Sequence, residues 1–318
     1  MTAKVDCMNM NRKSIIMDCD PGHDDAIALI LACASDRLDV RAVTTVGGNQ
    51  TLEKTTNNAL RVLNFIGRNI PVAMGADRPI SRDLTIAPSV HGDSGLDGPA
   101  IPQSPQKPLD ISAVQLMAKV TEESEDKVTL VATAPLTNVA TFLLAYPRLK
   151  NKIDRISLMG GAAVGGNWAP AAEFNILVDP EAADIVFKSG IPITMAGLDV
   201  THKARFYPED IQKIKTQGGK VARMAGELLE FFIKFHNSLG WDFAPLHDPC
   251  AVAWLIAPEL FQSEHLNVEI DTCGEFTTGC TVTDFTGISG RKPNADVLLG
   301  VDREKLVDLV IGAVNQYE

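Results

Sequence analysis

The chain has 318 residues, 45% of them apolar and 22% charged, with a formal net charge of −11. This is the composition of an ordinary globular protein long enough to bury a large core. The acidic balance, with no run of Lys or Arg longer than two residues, excludes a reader of nucleic-acid backbones, which needs clustered positive charge.

Strand-like and helix-like segments alternate through the first 200 residues. Strands are expected at 14–18, 40–46, 72–74, 128–133, 156–159 and 193–196, and helices at 25–34, 52–66, 111–123, 136–145 and 180–188. Apolar residues recur at helical spacing in the helices, and several of these begin near Asp, Thr or Pro. Such alternation predicts βαβ units around a parallel sheet. From 77 to 110 the rhythm breaks, with six prolines and three glycines; an irregular stretch of that length inside a compact domain tends to be functional. Beyond Gly197 come helices at 209–215, 221–235 and 247–256, strands at 266–270, 280–284 and 297–299, and a last helix at 303–315. The expected fold is a single α/β domain over 14–318, with a mostly parallel, Rossmann-like central sheet flanked by helices and additional C-terminal helices and strands. Residues 1–13 form an N-terminal extension.

The first dozen residues contain no apolar signal core, and no apolar run is long enough to span a bilayer. A cytoplasmic protein without membrane or nucleic-acid partners is therefore expected. The six cysteines, at 7, 19, 33, 250, 273 and 280, show neither CxxC spacing nor a compact framework, which favours free thiols over zinc or disulfides. Cys19 reads as core.

The densest chemistry follows the first strand, in Asp18-Cys19-Asp20-Pro21-Gly22-His23-Asp24-Asp25. Carboxylates crowded into one turn disfavour joint ionisation unless a proton or cation intervenes. A hard divalent cation is the natural partner, and strand carboxyl ends are where open α/β sheets bind ligands. One of these Asp residues could merely cap the helix, but capping does not account for three. The Asp18-Cys19-Asp20 pair also occurs in metal-dependent phosphatases that use the first Asp as nucleophile, although Gly22 stands where those sites usually carry Thr or Val. Polar clusters follow other strands: Gly47-Gly48-Asn49-Gln50, Pro135-Leu136-Thr137-Asn138, Gly160-Gly161, Gly165-Gly166-Asn167 and Glu173-Phe174-Asn175, with His247-Asp248-Pro249 later. Each has a dull explanation alone; together they describe one oxygen-rich pocket.

These motifs, in this order over nearly the whole chain, resemble the inosine-uridine preferring nucleoside hydrolases. The matching segments are Asp18 to Ala26, Val46 to Gln50, Leu158 to Gly161, Glu173 to Ile176, Asp179 to Ala182 and His247 to Pro249. The resemblance implies a calcium-dependent enzyme that splits ribonucleosides into free base and ribose, assembled as a homo-oligomer (tetramer or dimer) and serving nucleoside salvage. It implies Asp20, Asp25, the Thr133 carbonyl and Asp248 as calcium ligands, with Asp20 also the general base. Asp24, Asn49, Asn167, Glu173 and Asn175 would hold ribose hydroxyls or the attacking water, and Met159 would line the ribose site. His247 would protonate or hydrogen-bond the departing base. His23 and the run His91-Gly92-Asp93-Ser94-Gly95-Leu96-Asp97-Gly98-Pro99 look more like members that prefer pyrimidine nucleosides, or both pyrimidines and inosine, than like purine-specific ones, with His91 and His236 as base-contacting candidates. The chemistry is coherent: water attacks the anomeric carbon, an oxocarbenium-like sugar develops, and nearby carboxylates stabilise its positive charge.

Overall fold

The computed structural model describes residues 12–317. Its strands are β1 (Lys13–Cys19), β2 (Leu38–Thr45), β3 (Val72–Met74), β4 (Val128–Ala132), β5 (Ile153–Met159), β6 (Ile193–Ala196), β7 (Arg205–Phe206), β8 (Ala244–Pro245), β9 (Phe261–Ile270), β10 (Thr281–Asp284) and β11 (Ala295–Val301). Nine of them make one sheet in the order β10-β9-β11-β6-β5-β4-β1-β2-β3, and β7 and β8 form a separate ribbon. The seven strands from β11 to β3 run parallel. Strand β9 joins antiparallel to both β11 and β10, so the C-terminal strands extend the sheet.

Central parallel strands are covered on both faces and read as apolar runs. In β1, Ile15, Met17 and Cys19 point into one core with the helices His23–Ala34, Lys220–Ser238, Asp248–Ile256 and Arg303–Val314, while Ile16 points into the other with Ala113–Glu123, Thr137–Ala145 and Pro180–Phe187. The chain leaves β1 towards β2 and β3 on one side and returns to β4 on the other. That reversal opens a crevice at the carboxyl ends of β1 and β4, the place where such sheets bind ligands.

Most expected elements are present within a few residues of their predicted bounds. Strand β9 begins at Phe261 rather than 266 because its first half, Gln262 to His265, is exposed and polar, a pattern that edge pairing tolerates and an apolar-run reading misses. The helices Pro88–His91, Phe174–Val178 and Leu198–Thr201 are too short to show periodicity. The cysteines at 19, 33, 250, 273 and 280 are free thiols, Cys19 fully buried; Cys7 lies outside the described residues. Among the described residues no helix is long and apolar enough to cross a membrane.

Candidate active site

Two helix N-termini meet at the crevice. His23–Ala34 carries Asp24 and Asp25 in its first turn, where the Gly22 N–H donates to Asp25 Oδ2 at 3.1 Å. Asp248 opens the helix Asp248–Ile256. One carboxylate oxygen each from Asp24, Asp25 and Asp248 lie within 4.8 Å of one another, all three residues buried. Asp20 sits beside them and is fully buried; its Oδ2 accepts the Asn49 N–H at 2.6 Å, while its Oδ1 has no partner. The Thr133 hydroxyl donates to Asp25 Oδ1 at 2.8 Å, and its carbonyl accepts from Asn175 Nδ2 at 3.1 Å.

Burial pushes all four carboxyls upward: Asp20 and Asp248 well above the usual range, Asp24 to about 7 and Asp25 to about 6, with mutual repulsion adding to Asp20, Asp24 and Asp248. Carboxylates this close repel one another unless a proton or a cation intervenes. An all-oxygen donor set with an orphaned buried Oδ1 fits a hard divalent cation in the proton's place. Asp20, Asp25, the Thr133 carbonyl and Asp248 would hold it. The sequence reading placed Asp24 with the ribose and outside this set; the structure puts it in both neighbourhoods, within the carboxylate cluster and on the cavity wall. Asp18 points elsewhere, receiving Thr44 Oγ1 at 2.6 Å and Asn138 Nδ2 at 2.8 Å, and does not border the cavity. Asp18 Oδ1 is thus committed to the scaffold, which speaks against a phosphatase-like nucleophile there.

A cavity of about 300 Å³ opens in front of the cluster. Its acidic end is walled by Asp24, Asn49, Thr133, Met159, Asn167, Glu173, Asn175 and Asp248; Asp20 and Asp25 lie behind this wall. The Asn49 amide donates to Asp25 Oδ2 at 3.2 Å. Glu173 caps the helix Phe174–Val178, its carboxylate taking the N–H groups of Gly161, Asn175 and Ile176 at 2.9, 3.0 and 3.2 Å. Burial outweighs those bonds and lifts its carboxyl to about 7. Asn167 stands at the rim and accepts the Phe174 N–H at 3.0 Å. Trp168, at the mouth, packs edge-on against Phe174 with ring centroids 4.8 Å apart.

The rest of the lining is aromatic and rich in imidazole: His91, His202, His236 and His247 with Phe232, Phe235 and Trp241. His236 is buried, its Nδ1 3.0 Å from the Phe232 carbonyl and its ring edge-on to Phe232 at 4.6 Å. His247 Nδ1 lies 2.8 Å from Thr201 Oγ1. Burial lowers the pKa of every one of these imidazoles, His236 to about 4 and His91 and His247 well below the usual value, so they meet a ligand as neutral groups. His202 and Trp241 were missed by sequence reasoning. His202 follows the carboxyl end of β6 and could have been found by the same strand-end rule that found the others. Trp241 stands between the helix Lys220–Ser238 and β8, and nothing local marks it. His23, by contrast, is fully buried and does not reach the cavity.

A sequence profile described as inosine-uridine preferring nucleoside hydrolase matches residues 15–308. The chain is 55% identical over 299 residues to the pyrimidine-specific ribonucleoside hydrolase RihA of Citrobacter koseri, covering 93% of this chain and 96% of that protein. To the protein of the same name from Photobacterium profundum it is 56% identical, covering 96% and 99%. Among solved structures, the purine-preferring ribonucleoside hydrolase from Gardnerella vaginalis superposes with a TM-score of 0.90 at 31% identity, covering 96% of this chain and 98% of that one. The plant nucleoside hydrolase PpNRh1 superposes with a TM-score of 0.89 at 34% identity, covering 95% and 99%. By sequence and by fold, the chain belongs to the inosine-uridine preferring nucleoside hydrolase family.

Proposed function

We propose that this ribonucleoside hydrolase acts on pyrimidine ribonucleosides, cleaving uridine and cytidine to free base and ribose with a calcium ion in the carboxylate cluster, and inosine no better than these. The observation that carries the reading is one cavity with a carboxylate and amide end suited to a ribose and a neutral imidazole end suited to a base. The names of the relatives at 55–56% identity support the pyrimidine preference. The more distant structural relatives include a purine-preferring enzyme, so fold alone does not choose the base.

When bound, the calcium ion supplies a Lewis-acidic centre that makes water easier to deprotonate. Asp20 takes the proton from the attacking water. Asp24, Asn49, Asn167, Glu173 and Asn175 hold the ribose hydroxyls, and Met159 closes the sugar's apolar side. Their negative charge and dipoles favour the positive charge that develops on the ribose ring. His247, with Nδ1 engaged by Thr201, has Nε2 left to hydrogen-bond the leaving base. A reducing-sugar assay over uridine, cytidine, inosine, adenosine and guanosine tests the reading. The kcat/KM for uridine or cytidine is expected to equal or exceed that for inosine and to exceed those for adenosine and guanosine; a tenfold advantage for adenosine or guanosine contradicts the pyrimidine assignment.

A further inference from the structure

The hairpin of β9 and β10 is an addition to the parallel sheet, yet one of its side chains stands directly behind the cavity wall. Thr281, the first residue of β10, is buried against the turn that follows β5. Its hydroxyl donates to the Ala162 carbonyl at 2.6 Å and accepts the Ala162 N–H at 2.8 Å. One hydroxyl thus satisfies both backbone groups of a buried residue, using its single hydrogen and a lone pair. Gly161 makes this approach possible. Its φ of +78° is left-handed, and a Cβ there would stand 2.6 Å from Thr281 Cγ2.

The turn held in this way is the one on which Glu173 leans. The Gly161 N–H donates to Glu173 Oε2 at 2.9 Å, whereas the other N–H groups on that carboxylate, those of Asn175 and Ile176, belong to its own helix. The hairpin also braces that helix. Gly279, just before β10, lies so close that a Cβ would stand 2.8 Å from Leu177 Cα and 3.2 Å from Ala172 Cβ. Arg82 fastens the same end of the hairpin, donating to the Thr272 carbonyl at 2.7 Å while paired with Glu181 at 2.6 Å. From the sheet side the turn is held by the Leu198 N–H on the Gly161 carbonyl at 2.9 Å and by Asp199 Oδ2, which accepts the Ala163 N–H at 2.6 Å. Thr281 supplies the opposing hold. Without its hydroxyl, two buried backbone groups of Ala162 lose their partner, and the turn must shift to find another. The Gly161 peptide moves with it.

We propose that Thr281 is a positioning residue for the ribose end of the cavity: through both backbone groups of Ala162 its hydroxyl holds the 160–163 turn, so that the Gly161 N–H keeps the Glu173 carboxylate fixed at the cavity wall. The proposal rests on the reading of Glu173 as a ribose contact and adds to it a residue that never touches substrate. It gives the C-terminal hairpin a part in the reaction.

The test uses the intact, calcium-supplied protein. Thr281→Val keeps the shape and removes the hydroxyl, and Thr281→Ser keeps the hydroxyl. Thr283→Val is the control, removing from the same strand a hydroxyl that donates to the Thr281 carbonyl at 3.2 Å. Thr281→Val should lose about ten- to a hundredfold in kcat/KM on uridine. The loss should be the same on p-nitrophenyl β-D-riboside, which shares the sugar and differs in the leaving group. Thr281→Ser and Thr283→Val should stay within about threefold of wild type, and in a Glu173→Ala background Thr281→Val should cost at most about threefold more, because the two residues act through one contact. Amide hydrogen exchange at 161–163 should quicken in Thr281→Val and not in Thr281→Ser. Wild-type kcat/KM in Thr281→Val, an equal loss in Thr281→Ser, a loss confined to uridine, or independent effects of Thr281 and Glu173 overturns the proposal. If Thr281→Val does not fold, Thr281→Ala takes its place, and exchange in the wild type decides independently: the Ala162 amide is expected to be protected, and exchange as fast as in the exposed stretch 286–290 overturns the proposal. Wild-type activity in Glu173→Ala refutes the ribose reading of Glu173, while exchange at 161–163 still judges whether Thr281 holds the turn.

Discussion

Replacing Gly48 by alanine tests whether the exact placement of Asp20 matters, using a residue that has no side chain to lose. A Cβ at Gly48 would stand 2.1 Å from Asp20 Oδ2, 3.0 Å from Asp20 Cγ and 2.8 Å from Pro135 Cδ. Ordinary contact begins at 3.4 Å, so the carboxylate would have to retreat by 3.4 − 2.1 = 1.3 Å. It has no free space to do so, being fully buried and tied to the Asn49 N–H at 2.6 Å. Gly48 has no left-handed φ, so the backbone tolerates alanine and the effect is steric. Overpacking of this kind costs about 1–3 kcal/mol of stability, and a reacting group displaced by about 1 Å costs about 100-fold in rate. Uridine turnover should therefore fall about 100-fold, with calcium affinity reduced and the melting temperature lowered by a few degrees. Gly312→Ala, in a helix with nothing within 4 Å of the new Cβ, is the control and should leave turnover unchanged. Wild-type turnover in Gly48→Ala would refute the assignment of Asp20 as a positioned base.

Exhaustive chelation should abolish turnover, and elemental analysis of active enzyme should find one calcium per chain; full activity in metal-free protein would count against the cluster's role. Asp248→Asn should weaken calcium binding at least tenfold by titration calorimetry, since it removes a carboxylate from the ligand set. Deoxyuridine should be cleaved about 10⁴-fold more slowly than uridine, because a site built for a hydroxyl is left with unpaired buried groups; comparable rates would sink the ribose assignment. Stability should respond to pH through His236, whose folded pKa is pushed down to about 4 from 6.5 by burial. Between those values the unfolded chain binds a proton the native one refuses, so this contribution is present above pH 6.5 and lost as pH falls towards 4, by up to about 3 kcal/mol. Glu173 acts in the opposite sense, its carboxyl raised from 4.5 to about 7 by burial, so stability is fully present below pH 4.5 and declines as pH rises to 7. Denaturant titrations from pH 4 to 8 should show a shallower acid loss in His236→Gln than in wild type, and identical slopes would contradict a buried neutral imidazole.

The parallel core and the acidic turn were legible because both are local. Strands covered on two faces appear as apolar runs, and a carboxylate-rich turn after such a run marks a strand end. Residues 18–25, 46–50, 158–161 and 173–176 could be placed at one sheet edge by that rule alone. The base end of the cavity was less legible, because it is assembled by topology. His202 and Trp241 come from a short helix and a connection with no periodic signal, and meet with ring centroids 4.9 Å apart only once the long helix Lys220–Ser238 packs across the crevice. His23 and His91 were noticed as residues, but their pairing depends on a loop returning over 68 positions, which no local pattern encodes.

Hydrolysis at the N-glycosidic bond leaves a defined pair of products, the free base and the free sugar. Uridine incubated with the calcium-loaded enzyme in phosphate-free buffer should yield uracil and free ribose in equal amounts, with no gain on adding phosphate. Absence of base release from every ribonucleoside, or release that requires phosphate and yields a sugar phosphate, would contradict it.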